Sequence, residues 1–147
     1  LKEEELSIQP NLKKIKGSLT TKTKLIYLSS PNTVTGQQLE TDHLIKGFYC
    51  DSLTDDLKAR MPKVGVVHID VDLYSSTVEV LNFLKPLLVQ GSLLVFDDWY
   101  CFPGGSLMGE RRALTEFLNE NTGFSVEPWK AYSTFGQSFF VSQVPKV

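Results

Sequence analysis

From residue 66 to residue 99 the chain reads VVHIDVDLYSSTVEVLNFLKPLLVQGSLLVFDDW, and the period of its apolar positions changes twice. The run Val66, Val67, His68, Ile69 leads into Asp70 and Asp72, and the run Leu93, Leu94, Val95, Phe96 leads into Asp97 and Asp98. Short apolar runs bounded by turn signals predict strands buried on both faces of a parallel sheet. Between them, Val80, Leu81, Phe83, Leu84, Leu87 and Leu88 form a broad apolar face behind Ser76 and Glu79, a pair spaced as a capping box. Pro86 stops that helix near Lys85, and Gly91 turns the chain into Ser92 to Phe96. A right-handed crossover puts both strand ends on one edge of the sheet. Ligands in open α/β sheets bind beyond those ends, so four carboxylates are expected at one binding edge.

The flanking pattern extends the same scheme. Residues 1–24 are polar and lysine-rich and are expected to be a solvated segment, with Leu12, Ile15 and Leu19 able to line a short helix interrupted by Gly17. Lys24 to Ser29 and His43 to Tyr49 read as strands, with a polar loop or weak helix over 33–42. Ser52, with Asp55 three residues on, is expected to open a helix that ends before Pro62, and Gly65 to Ile69 is the next strand. Glu110 to Asn121 is amphipathic through Ala113, Leu114, Phe117 and Leu118, with Gly123 as its stop. Phe124 to Trp129 and Gln137 to Gln143 are strand-like, and the gap between them is too short for a parallel crossover. They are expected to form an antiparallel hairpin at the sheet edge. The predicted order is β-α-β-α-β-α-β-β, with a domain over 25–147.

Composition narrows the chemistry. At 147 residues the chain suits one core. A net charge of −2 and a pI near 5.7 give no electrostatic reason to expect nucleic acid. Two histidines exclude a His-rich metal site, and Cys50 and Cys101 form no CxxC pair, so reduced thiols are expected. No run approaches the ~20 apolar residues of a membrane span. The first residues lack a signal-peptide pattern, so the expected location is the cytoplasm. The chain begins with Leu rather than Met, which raises the expectation of a longer parent.

The segments HIDVDLYSST and VFDDWYCFPG, separated by a helix and a Gly turn, resemble the macrocin-type (TylF-type) O-methyltransferases. The resemblance covers about residues 43 to 143. It implies a Rossmann-like class I methyltransferase sheet, mostly parallel, with a C-terminal antiparallel hairpin. It also implies S-adenosylmethionine as cofactor and methyl transfer to a sugar or phenolic hydroxyl of a small molecule. KGFYCDSL resembles the segment where such enzymes hold adenine, which assigns Asp51 and Ser52 to cofactor contacts, with Asp70 beside them. There is one departure. The family's first strand ends in an acid and a glycine-rich turn (E/D-x-G-x-x-x-G), and these 147 residues contain no such motif. The N-terminal strands are therefore expected to be incomplete or divergent, and the chain to represent the C-terminal part of the enzyme. Loss of the first unit would leave an open sheet edge that invites self-association.

Related catechol-type methyltransferases place one acid after the fourth strand and two after the fifth. By that match Asp70, Asp97 and Asp98 are expected to hold Mg²⁺ or another divalent cation, which prefers oxygen ligands. Asp72 is the expected general base, with Asp70 in the same catalytic group. The competing reading makes these acids helix caps, but four carboxylates at adjacent strand ends would repel one another without a counter-ion. His68 is expected to be a core residue, and Trp99 to Gly105 either a lip of the acceptor pocket or packing. Arg111 and Arg112 read as a solvated helix face, the alternative being that one of them pairs with Asp98. Asp70-Val71-Asp72 also resembles the D-x-D of haloacid dehalogenase-type phosphatases. Only 24 residues separate Asp72 from Asp97, too few for the two further strands such enzymes need. The rival from another class is a non-catalytic methyltransferase-fold module serving interaction or structure.

Overall fold

The computed structural model describes residues 25–29, 45 and 47–145, with 25–29 as backbone only. The expected N-terminal helix and the 33–42 loop lie outside the described residues. Among the described residues five strands form one sheet: β1 (Leu25–Ser29), β2 (Val64–Asp70), β3 (Leu88–Phe96), β4 (Ser125–Ala131) and β5 (Gln137–Gln143). Their spatial order is β1-β2-β3-β5-β4. β1, β2 and β3 run parallel, while β5 is antiparallel to both β3 and β4. The helices are α1 (Tyr49–Ser52), α2 (Asp55–Arg60), α3 (Tyr74–Leu84) and α4 (Gly109–Glu120). This is the expected Rossmann-like α/β sheet, mixed among the described strands with two parallel and two antiparallel pairings, and it ends in the expected reversed hairpin.

The core follows from the two periodicities. Val67, Ile69 and Val71 on the β2 segment, with Leu94 and Phe96 on β3, are essentially inaccessible. Val80, Leu81 and Leu84 of α3 and Ala113, Leu114 and Phe117 of α4 supply the helical side, and α3 and α4 pack against each other. Trp99 joins this core. Its ring lies 4.6 Å from Phe139 and 5.2 Å from Phe96, centroid to centroid, so it packs against this core.

Several local expectations are corrected. Ile45, Gly47 and Phe48 are not in a strand, and Tyr49 opens α1, so the predicted strand over His43 to Tyr49 does not form where the chain is described. Ser52 ends α1 instead of opening a helix, and its hydroxyl donates to the Phe48 carbonyl (2.8 Å). The cap of α2 is Thr54, which accepts from the Leu57 N–H at 3.2 Å. A hydroxyl two residues later wins because it alone reaches the free N–H groups of the first turn. Ser76 likewise lies inside α3, which begins at Tyr74 after Leu73 with no side-chain cap. Gly91 does not separate helix from strand. It sits within β3 at φ +89°, opposite a register shift between Val64 and Val66. Buried Ser92 repairs that irregularity, donating to the Val64 carbonyl (2.6 Å) and accepting from the Val89 N–H (2.9 Å).

Candidate functional site at the carboxyl edge of the sheet

Strand register brings the acids together. Ile69 pairs with Phe96, and the Asp97 N–H continues the ladder onto the Ile69 carbonyl (2.9 Å), so β2 and β3 end level. One carboxylate oxygen each from Asp70, Asp72 and Asp98 lies within 4.8 Å of the others. Asp72 is exposed, while Asp70 and Asp98 are half-buried. Asp97 stands at the same edge in different company. Its Oδ1 accepts from the Tyr132 hydroxyl (2.8 Å) and lies 3.9 Å from His68 Nε2. Of the residues expected at a cation, the structure gathers Asp70 and Asp98 with Asp72, the expected base, and holds Asp97 beside the hairpin.

The electrostatics of the edge are those of crowded anions. Burial, and beyond it the neighbouring Asp72 and Asp97, pushes the Asp98 carboxyl up to about 6, against the opposing pull of the Cys101 thiol. That thiol donates to Asp98 Oδ1 (2.9 Å), and burial with the adjacent carboxylate raises it to about 12, so Cys101 stays protonated. His68 is shifted down by burial, which outweighs the pull of Asp97 and Asp70. It is therefore neutral at pH 7 and makes no ion pair with Asp97.

Glu110 is the residue that sequence reasoning missed. It sits in the first turn of α4, 1% exposed, and its Oε2 accepts from the Asp98 N–H (3.1 Å). Burial first, then the nearby Asp98, raises it to about 9, so it is a neutral acid at pH 7. The signal was present in the chain. Glu110 lies three, four and seven residues before Ala113, Leu114 and Phe117, on the apolar face of its helix. Tyr132 carried no such signal.

The oxygen donors fit a hard divalent cation. Among the described residues, Asp98 Oδ2 and Glu110 Oε1 are buried without a hydrogen-bond partner. Two deprotonated carboxylates cannot satisfy each other, so Asp98 and Asp72 need either a shared proton or a positive charge. Asp51 is exposed on α1, beside Ser52, whose hydroxyl is engaged locally. A cleft of about 260 Å³ between α1, α2 and α3 is lined by Tyr49, Leu53, Lys58 and Glu79, and none of the strand-end acids lines it. Neither arginine reaches Asp98: Arg112 pairs with Glu116 (2.8 Å) over the Tyr74 ring, and Arg111 lies over Tyr100.

The profile of the macrocin O-methyltransferase family (TylF) matches residues 35–123, more than half of the chain. The chain belongs to that family. Among solved structures it is similar to the O-methyltransferase NovP, at 23% identity and a TM-score of 0.52 over 66% of this chain and 36% of that one. It is also similar to apo CalS11, a TDP-rhamnose 3'-O-methyltransferase of calicheamicin biosynthesis, at 20% identity and a TM-score of 0.48 over 65% and 39%. An O-methyltransferase from Bacillus cereus in complex with SAH matches at 13% identity and a TM-score of 0.44 over 64% and 47%. The chain thus spans between a third and a half of the length of these relatives. No curated protein sequence matches it. No helix among the described residues is long and apolar enough to cross a membrane.

Proposed function

We propose that the protein is an S-adenosylmethionine-dependent O-methyltransferase, acting on a sugar or phenolic hydroxyl of a small molecule, with a divalent cation such as Mg²⁺ at the acid edge. The observation that carries this reading is the convergence of Asp70, Asp72 and Asp98 at the ends of two adjacent parallel strands in a chain of this family. Asp70, Asp97 and Asp98 are the residues assigned to the cation, and Asp72, the most exposed of the cluster, is the base that takes the acceptor's proton. When bound, the cation makes an acceptor hydroxyl more acidic and the sulfonium cofactor offers its methyl group. Asp51, Ser52 and Asp70 are assigned to the cofactor. The domain is residues 25–147, preceded by a polar segment over 1–24.

A second reading has one observation behind it. The glycine-rich turn that cradles the cofactor is absent from these 147 residues, which favours a module that keeps the fold without turning over. Calorimetric titration of the chain with S-adenosylhomocysteine in the presence of Mg²⁺ separates the two. Saturable binding supports the enzyme reading. A folded chain with no binding supports the module, and moves the enzyme reading to a longer protein that supplies the missing turn.

A further inference from the structure

We propose that Glu110 is a positioning residue, one that fixes the orientation of Asp98 at the acid edge without touching a ligand itself. The inference rests on the reading of that edge as a cation centre. Three observations carry it. Glu110 is 1% exposed on an otherwise apolar helix face, a costly place for a carboxyl unless a polar partner is served there. The partner is the Asp98 backbone N–H, twelve residues earlier, at the point where the chain leaves β3. The start of α4 is itself wedged against the edge. At Gly109 (φ +54°) an added Cβ would lie 2.7 Å from the Phe102 ring and 3.9 Å from the Asp72 carbonyl oxygen, so the start of the helix approaches the edge as closely as only a glycine allows.

Asp98 is thereby held at two points. Glu110 holds its backbone and the Cys101 thiol holds Oδ1, leaving Oδ2 without a partner among the described residues. A carboxylate restrained in this way presents its remaining lone pairs in one direction. Residues behind metal ligands typically contribute ~10- to 100-fold in affinity by such orientation.

The test is Mn²⁺ binding to the purified chain, read as loss of the free-ion paramagnetic resonance signal. The variants are Glu110→Met and Glu110→Gln, each with its melting temperature. Met fills the same space without the accepting oxygen, so the protein should fold while Mn²⁺ affinity falls ~10-fold or more. Gln keeps an acceptor for the Asp98 N–H, and affinity should stay near that of the parent. Leu114→Ala, buried on the same helix, serves as control: destabilised, with affinity unchanged. Parental affinity in Glu110→Met overturns the inference and leaves the cation centre standing. A parent that binds no Mn²⁺ overturns the cation centre and the inference with it.

Discussion

The Tyr132 hydroxyl donates to Asp97 Oδ1 at 2.8 Å, joining the tip of the β4–β5 hairpin to the end of β3. Burial and the facing carboxylate raise the phenol far above its ordinary value. A group raised in the folded state contributes stability that is full below its unfolded value, near 10 for tyrosine, and is lost as pH rises through the folded value. Tyr132→Phe should therefore cost about 1 kcal/mol at neutral pH, the usual net worth of such a bond. The difference from the parent should shrink in strongly alkaline solution. Urea denaturation at pH 7.5 and above pH 11 would show this, and an equal difference at both would remove the bond from the account.

Asp98 and Glu110 are both raised, to about 6 and about 9, from the 3.8 and 4.5 of free carboxyls. The folded chain then holds more protons than the unfolded one between these values. Stability contributed by the two acids is present at low pH and lost as pH climbs, for Asp98 between about 4 and 6 and for Glu110 between about 4.5 and 9. The metal-free chain should melt at a higher temperature at pH 5.5 than at pH 8.5. Glu110→Gln should flatten the upper part of that slope. A melting temperature that rises with pH across the range would contradict the assignment.

Asp72 and Asp97 exchange places between the pattern-based assignment and the geometry, and substitution separates their roles. If Asp97 is a ligand and Asp72 the base, Asp97→Asn should weaken Mn²⁺ binding at least 10-fold, while Asp72→Asn leaves it within about 3-fold. Where turnover is measurable, Asp72→Asn should still lower it by ~10²- to 10⁴-fold, as expected of a general base. The reverse pattern of affinities would make Asp72 the ligand.

Ser92 bridges the Val64 carbonyl and the Val89 N–H where the β2–β3 register slips. Its side chain is fully buried, so Ser92→Ala takes from both backbone groups the partner they have in the fold. The expected cost is ~1–3 kcal/mol. Equilibrium unfolding reads it directly, and a neutral substitution would mean the backbone groups find other partners.

Much of this architecture was legible because its physics is local and periodic. The β2–α3–β3 unit, the α4 face and the closing hairpin all follow from runs and spacings visible in the chain. Helix starts are not legible at Ser52 and Ser76, where a hydroxyl and an acid stand at capping-box spacing although the true starts are set elsewhere. Pattern alone does not reveal which hydroxyl will face free N–H groups. The convergence of acids was legible from strand order, but its membership was not. That depends on side-chain directions just past the strand ends, and on Tyr132 and Cys101, partners whose contacts exist only after folding. Glu110 lay between the two cases, visible as an acid on an apolar face, with its partner hidden.

The position of β3 has a consequence for how the molecule assembles. Its parallel neighbour, β2, precedes it in the chain, but its antiparallel neighbour, β5, begins only at Gln137. Asp97 meets Tyr132, 35 positions further along the chain, and Phe96 pairs with Gln137 over a longer span. Loop closure over such separations is paid before the contact rewards it, and distant pairings form late. During synthesis the acid edge therefore emerges before its partners and stays unfinished, with β3 lacking one neighbour and Asp97 unanchored, until β4 and β5 have followed.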